Sequence, residues 1–291
     1  MTGSNPQVDI TGDVAFVTGA ASGIGLAVTS ELNPFSARVI IVDLNDAAAS
    51  KLADEFNGKA GETVAVAVKT DITSWDQQVA AYEVGKKTFG RVDYFVANAG
   101  IAEFPWLPKF DPSTARSRPI TQPKMAIVDV DLSAHLMTAA LALQVFERQD
   151  LNRHGFRGKL VMTSSLYGVF PSMCQPMYSA AKGGIVHFVR ASAQFHAKKD
   201  LTVNVVCPGL VATNIVSPGF LKEFQELGLV TTQEQIVQPF ISLLGGSKDN
   251  GRVVCVNQDK VWDQSIMNDD LVEGLLPLLE RKVGQTFGYW E

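Results

Sequence analysis

The chain is poor in cysteine and histidine and carries no surplus of positive charge. Its three cysteines, Cys174, Cys207 and Cys255, are an odd number with no paired spacing. That pattern argues against a disulfide framework and reads as reduced thiols in a cytoplasmic protein. The four histidines are scattered, and neither a CxxC nor an HExxH pattern occurs, so no metal site is expected. A duplex-binding protein normally carries a basic face or run. Here the formal net charge is -5, and basic residues gather only in short pairs such as Lys86-Lys87 and Lys198-Lys199. No nucleic-acid partner is expected. No apolar run reaches the ~20 residues that span a bilayer. The polar lead from Met1 to Asp13 lacks the apolar core of a signal peptide. The sequence therefore predicts no membrane span.

Apolar residues make up 46% and charged residues 19% of the 291, which excludes a disordered chain. At roughly 150 residues per domain the length suggests about two domains, although one α/β sheet can absorb it all. The pattern along the chain favours the single sheet. Val14 to Val17 is an apolar run, and Arg38 to Asp43 another. Thr63 to Val68, Val92 to Ala97, Gly158 to Thr163, Leu201 to Cys207 and Arg252 to Val256 follow. Helical patterns separate them, including long ones from Met125 to Gln149 and from Gln175 to Lys198. Continuous β-branched strands are buried on both faces, which implies a parallel sheet between two helical layers. The expected fold is α/β, one doubly wound sheet of seven strands spanning residues 1–262. Two regions break the rhythm. One is a Pro-rich insertion from Phe104 to Pro123. The other is a tail, residues 263–291, ending in Phe287, Tyr289 and Trp290.

The first strand runs into Thr18-Gly19-Ala20-Ala21-Ser22-Gly23-Ile24-Gly25 and then a helix. A strand, a glycine-rich turn and a helix form an anion site, because the helix N–H groups point outward and glycine lets a phosphate approach. The structural alternative is a tight turn that merely needs small residues. Asp43 stands about 20 residues on, where an acid accepts hydrogen bonds from an adenine-ribose hydroxyl. A carboxylate there repels a 2′-phosphate, and neither Leu44 nor Asn45 supplies a cation to hold one. The dinucleotide predicted is NAD. The alternative for Asp43 is a helix-capping acid, since Asn45 and Asp46 precede a helix.

Tyr178 and Lys182 are four residues apart, so a helix puts them on one face. Phenol has a pKa of ~10, and a nearby ammonium stabilises the phenolate. Such a tyrosine can exchange a proton near neutrality. Ser165, on the segment before that helix, can hold a substrate oxygen. A YxxxK pair by itself is equally a solvated helix face.

The combination resembles the short-chain dehydrogenase/reductase family from about Val14 to Val256. The likeness rests on the Gly19 to Gly25 loop, on Asn98-Ala99-Gly100, on Ser165 standing 13 residues before Tyr178, on Tyr178-Ser179-Ala180-Ala181-Lys182, and on Pro208-Gly209 followed by Thr213. The ending Asn250 to Val256 is similar to hydroxyprostaglandin-dehydrogenase-like members. The resemblance implies NAD-dependent interconversion of a secondary alcohol and a ketone. Tyr178 would be the general acid/base, Ser165 would orient the reacting oxygen, and Lys182 would tune Tyr178 and bind the nicotinamide ribose. Gly19, Ser22, Gly23, Ile24, Gly25, Asp43, Leu44, Asp71 and Ile72 would hold the adenosine side. Asn98, Ala99, Gly100, Pro208, Gly209, Val211 and Thr213 would line the rest of the cofactor site. The family usually has an asparagine where this chain has Asp131; the residue could still hold a relay water, with an added negative charge. His135, one turn on, reads as an ordinary helix residue. The family also implies a homodimer or homotetramer, built through the helices beginning near Met125 and Gln175.

Ligands of such sheets sit outside the carboxyl ends of the strands. Phe104, Trp106, Leu107 and Phe110 converge there with Leu166, Tyr167, Phe170 and Met173 and with Val211, Ile215, Val216 and Phe220. These side chains are apolar or aromatic, so a lipophilic terpenoid, steroid or polyketide-like substrate is expected. The alternatives are a non-redox isomerase or cyclase, and a cofactor-binding protein without turnover.

Overall fold

The structure is a computed structural model that describes residues 8–32, 37–213, 218–264 and 281–282. Along the chain run β1 (Val14–Thr18), α1 (Gly23–Leu32), β2 (Arg38–Asp43), α2 (Asp46–Ala60), β3 (Ala65–Lys69), α3 (Trp75–Phe89) and β4 (Tyr94–Ala97). Then come α4 (Ala126–Val128), a π-helical segment (Asp129–Ala134) and α5 (His135–Glu147). The second half contains β5 (Gly158–Thr163), α6 (Pro176–Phe195), β6 (Leu201–Pro208), α7 (Pro218–Glu226), α8 (Gln233–Ser242), β7 (Val253–Asn257) and β8 (Lys260–Asp263).

The strands form one sheet in the order β3-β2-β1-β4-β5-β6-β7-β8. Every pair is parallel except β7 with β8. The alternation of side chains along β1 shows why the strands are apolar throughout. Ala15 and Val17 join Val28 and Leu32 of α1, Phe56 of α2 and Phe240 of α8 on one face. Val14 and Phe16 join Phe146 of α5 and Ile185 and Val189 of α6 on the other. Both faces are covered, so neither position of the two-residue repeat can be polar.

The eighth strand was not expected. It pairs antiparallel with β7 across a tight turn in which Gln258 has a positive φ of 54°. Its side chains are mostly exposed, so it lacks the apolar run that marks the other strands. α7 was also not anticipated, its segment having read as part of the substrate-side loop. The strand β8 reaches Asp263, one residue past the boundary expected at 262. Phe287, Tyr289 and Trp290, with Ile215 and Val216, lie outside the described residues, as does the side chain of Phe220.

The long helix expected from Met125 is interrupted by the π-helical turn. A six-residue widening leaves the apolar periodicity almost intact, so the sequence does not reveal it. The helical stretch Ala126–Glu147, 22 residues, is by length and composition alone long and apolar enough to cross a bilayer. Its Ala139, Leu141, Val145 and Phe146 pack on the sheet, and it carries the buried acid Asp131, which suits a core helix.

The order of strands reverses between β1 and β4. The crevice for a ligand in such a sheet lies there, at the carboxyl ends. The opposite edge is tied by a polar network. Tyr94 donates its hydroxyl proton to Asp13 and accepts from Gly245 N–H at 3.1 Å. Arg153 joins Asp13 at 3.0 Å and also binds Asp9.

Near this edge the Lys159 side chain is wholly buried, against the Phe156 ring and the Ser247 carbonyl. Burial pushes its pKa down from the ordinary 10.5 to about 7. The unfolded chain therefore binds the extra proton between those two values, and stability rises with pH across that window. The rise is at most about 1.4 kcal/mol per pH unit. Denaturant midpoints at pH 6 and pH 9 should show that Lys159→Met loses this part of the rise while wild type keeps it.

Candidate active site

The glycine-rich turn after β1 reaches the crevice from one side. Gly19 has a φ of 64°, and a Cβ there would lie 2.8 Å from the Cα of Ala99. At Gly25 a Cβ would stand 2.1 Å from the Gly19 carbonyl oxygen and 2.6 Å from Asn98 Nδ2. Only hydrogen fits at either position. The first amide bonded within α1 is Leu26, to Ser22 O at 3.0 Å. The amides of Gly23, Ile24 and Gly25 thus lie in the first turn, which contains no acid to compete for an anion. Thr213 meets this turn, since a Cβ on Gly23 would be 3.1 Å from its methyl group.

Asp43 is the second support of the turn. One carboxylate oxygen accepts from Ala21 N–H at 2.9 Å and the other from Asn45 N–H at 2.9 Å. The capping role belongs to Asn45, whose side chain accepts from Ala48 N–H at 3.2 Å. Leu44 beside Asp43 is exposed. Asp71 follows β3, and Thr73 holds its carboxyl below the usual carboxylate range through side-chain and backbone hydrogen bonds. Ile72 is buried next to it, with its carbonyl on Gln78 Nε2 at 2.6 Å.

From β4, Asn98 and Ala99 donate their backbone N–H groups to the Thr18 hydroxyl at 2.9 and 3.1 Å. The Asn98 side chain donates to Thr18 O at 3.2 Å and accepts from the Thr163 hydroxyl at 3.1 Å. One hydroxyl, Thr18, thereby locks the ends of β1 and β4 together. In the sequence Thr18 only opens the glycine-rich stretch and Thr163 only ends a strand; neither position shows this lock. Pro208 ends β6, Gly209 donates to Val256 O at 2.7 Å, and Val211 is buried.

The third group comes from β5 and α6. Ser165 is extended, and its hydroxyl accepts from Tyr167 N–H at 3.1 Å. The Tyr178 ring packs edge-on to Tyr167, with centroids 6.5 Å apart. Lys182 Nζ lies 5.6 Å from the centre of the Tyr178 ring. It donates to Thr163 O at 3.3 Å and pairs with Asp131 Oδ2 at 3.1 Å. Both partners of that ion pair are buried. The other Asp131 oxygen accepts from Ile101 N–H at 2.8 Å. The acid therefore meets the ammonium directly. His135 is also buried, its Nε2 on the Ala99 carbonyl. Burial, and next the charge of Lys182, pull its pKa down to about 3, so the ring is neutral.

Residues from six strand ends, β1 to β6, thus gather at one edge of the sheet. A family model described as short chain dehydrogenase matches residues 13–223. The chain belongs to the short-chain dehydrogenase family. It is 30% identical over 232 residues to the short-chain dehydrogenase/reductase prx4 of Penicillium roqueforti, covering 80% of this chain and 64% of that one. It is 34% identical over 207 residues to cis-4-hydroxycyclohexanecarboxylate dehydrogenase of Sinomonas cyclohexanicum, covering 70% and 75%. The crystal structure of 3-ketoacyl-(acyl-carrier-protein) reductase from Brucella melitensis, complexed with NADH, superposes with a TM-score of 0.72 at 24% identity over 85% of this chain and 98% of that one. The chain spans 64% of the length of the curated Penicillium relatives it matches.

The short-chain dehydrogenase fold brings every described site residue of the sequence reading to the carboxyl edge of the sheet. The aromatic segments meant for substrate are there too, but open: Phe104 is 67%, Phe110 75% and Met173 94% exposed. An open cavity of about 320 Å³ lies elsewhere, between Arg190 and Gln194 of α6 and Asn250 and Asp263. It shares no residue with the crevice.

The buried ion pair gives a direct test. Asp131→Asn removes the counter-charge of Lys182 but keeps an oxygen to accept from Ile101 N–H, so it should be destabilised less than Asp131→Leu and retain turnover. Asp131→Leu strands a buried ammonium and an unbonded amide, at a cost of about 3–5 kcal/mol. Denaturant midpoints of both variants check this ordering.

Proposed function

We propose that the chain is an NAD-dependent oxidoreductase that interconverts a secondary alcohol and a ketone on a lipophilic small molecule. The observation that carries the reading is the buried Lys182 ammonium beside the Tyr178 ring, at the crevice where the glycine-rich turn ends. The dinucleotide fits that turn, because the places where a Cβ would fill the cradle are glycines. Gly19 to Gly25 would hold its phosphates and Asp43 a ribose, with Asp71 and Ile72 towards the adenine and Asn98 to Gly100 and Pro208 to Thr213 farther along. Asp43 favours NAD over its 2′-phosphorylated form, since its carboxylate repels a 2′-phosphate and neither Leu44 nor Asn45 after it is a cation; Lys69 is its register partner on β3. Bound there, NAD supplies a hydride acceptor, and its reduced form a hydride donor.

Tyr178 takes the hydroxyl proton during oxidation and returns it to the carbonyl oxygen during reduction. Lys182 stabilises the phenolate formed in the first case. Ser165 keeps the reacting oxygen in place through its hydroxyl. The bound NADH of the Brucella reductase and the ring alcohol named for the Sinomonas relative agree with this reading. The open aromatic rim supports a lipophilic substrate such as a terpenoid, steroid or polyketide-like alcohol. Assembly into a homodimer or homotetramer belongs to the same reading: only 44% of the most apolar window of Ala126–Glu147 is buried within one chain.

NADH formation from cyclohexanol, menthol and a 3-hydroxysteroid, with NADP as control, tests the proposal. Turnover with NAD should exceed that with NADP, and Asp43→Ser should narrow the gap. Tyr178→Phe should still bind NAD while losing about 10²- to 10⁴-fold in turnover. A fully active Tyr178→Phe variant would refute the assignment, and turnover of substrate without NADH formation would point to the isomerase alternative.

A further inference from the structure

Tyr178 is the third residue of α6, where a helix amide has no carbonyl behind it. Gln175, at the cap position, makes no side-chain cap, and Pro176 offers no N–H. The helix's own bonding begins one residue later, with Ser179 N–H on Gln175 O at 2.9 Å. Tyr178 N–H is satisfied from elsewhere in the chain. It donates to Glu103 Oε2 at 2.7 Å, across 75 residues of sequence.

Glu103 lies on the segment that leaves β4, and it is half-buried. Two residues earlier, Ile101 N–H is held by Asp131, the partner of Lys182. That segment is therefore fastened twice to the reacting end of the crevice, once to the backbone of Tyr178 and once through Asp131 to Lys182. Immediately beyond Glu103 the insertion becomes exposed, beginning with Phe104. A carboxylate also complements the partial positive charge of a helix N-terminus.

We propose that Glu103 is a positioning residue: its carboxylate caps the Tyr178 amide, sets the phenol against Lys182, and anchors the start of the 104–123 insertion to the site. The proposal rests on the reading of Tyr178 as the acid/base. It acts through the first turn of α6, whose backbone direction decides where the phenol oxygen stands.

Two measurements on the full chain test it. The first needs no substrate. Hydrogen exchange of the Tyr178 amide should be at least about tenfold faster in Glu103→Ala than in wild type, and near wild type in Glu103→Gln, which keeps an acceptor oxygen. The second uses NAD and the fastest alcohol of the screen above. Glu103→Ala should lower kcat about tenfold or more with KM for NAD within about twofold, and Glu103→Gln should recover to within about threefold. Equal exchange in wild type and Glu103→Ala would overturn the proposal. So would an unchanged kcat in Glu103→Ala, or a loss that Glu103→Gln does not recover. If Glu103→Ala is fully active while Tyr178→Phe is dead, only the role of Glu103 falls. If Tyr178→Phe is fully active, the reading of the whole site falls with it.

Discussion

The buried pair of Lys182 with Asp131 is the constraint on which the crevice depends. Removing two charges from water is costly, and the attraction between them offsets that cost only when their remaining hydrogen bonds are also made. Here they are made in part: Lys182 also reaches Thr163 O and Asp131 Oδ1 receives Ile101 N–H, while Asp131 Oδ2 has only the ammonium opposite it. The pair thus joins α6, the end of β5, the π-helical turn and the segment leaving β4. Each of these carries a part of the site, so none can shift without stranding a charge. The interruption of the helix after Val128 belongs to the same requirement, since the widened turn is where the chain presents Asp131 to the interior.

Around this pair the two edges of the sheet carry different work. The amino edge is closed by Asp13, Tyr94, Arg153 and the buried Lys159, groups that bind one another and backbone carbonyls. The carboxyl edge instead keeps groups that are satisfied once and still open to a ligand. Asp43 holds two amides, yet a carboxylate has about four lone-pair positions. The amides of the first turn of α1 have no carbonyl behind them. The hydroxyl of Ser165 accepts one hydrogen bond from Tyr167 N–H. Under the proposed function an anion, a ribose and a reacting oxygen would occupy these three openings.

The rim differs from the base of the crevice in kind. The base is fixed by one buried ion pair and by backbone hydrogen bonds. The rim is aromatic and exposed, from Phe104 through Phe110 and across to Phe170 and Met173. Exposed apolar side chains in such number need a cover, whether substrate or protein. Glu103 stands where rim and base meet, which is why a single carboxylate there can link the two.

The sequence by itself determined the sheet, its two helical layers and the identity of the chemical groups. Strands buried on both faces must be apolar throughout, and a phosphate turn must be glycine where the backbone closes on itself at Gly19 and Gly25. Those demands are local, so they are written in consecutive residues. Seven of the eight strands and the glycines of the turn could be read in this way. The edge strand β8 could not, because a strand with mostly exposed side chains has no buried face to mark it. Tertiary structure alone decided that Asp131 touches Lys182 directly, that Thr18 locks β4 to β1, and that Glu103 caps Tyr178. These partners stand tens of residues apart, and a carboxylate or hydroxyl looks the same in sequence whether it faces water or a buried donor. Only the packing of the chain selects which.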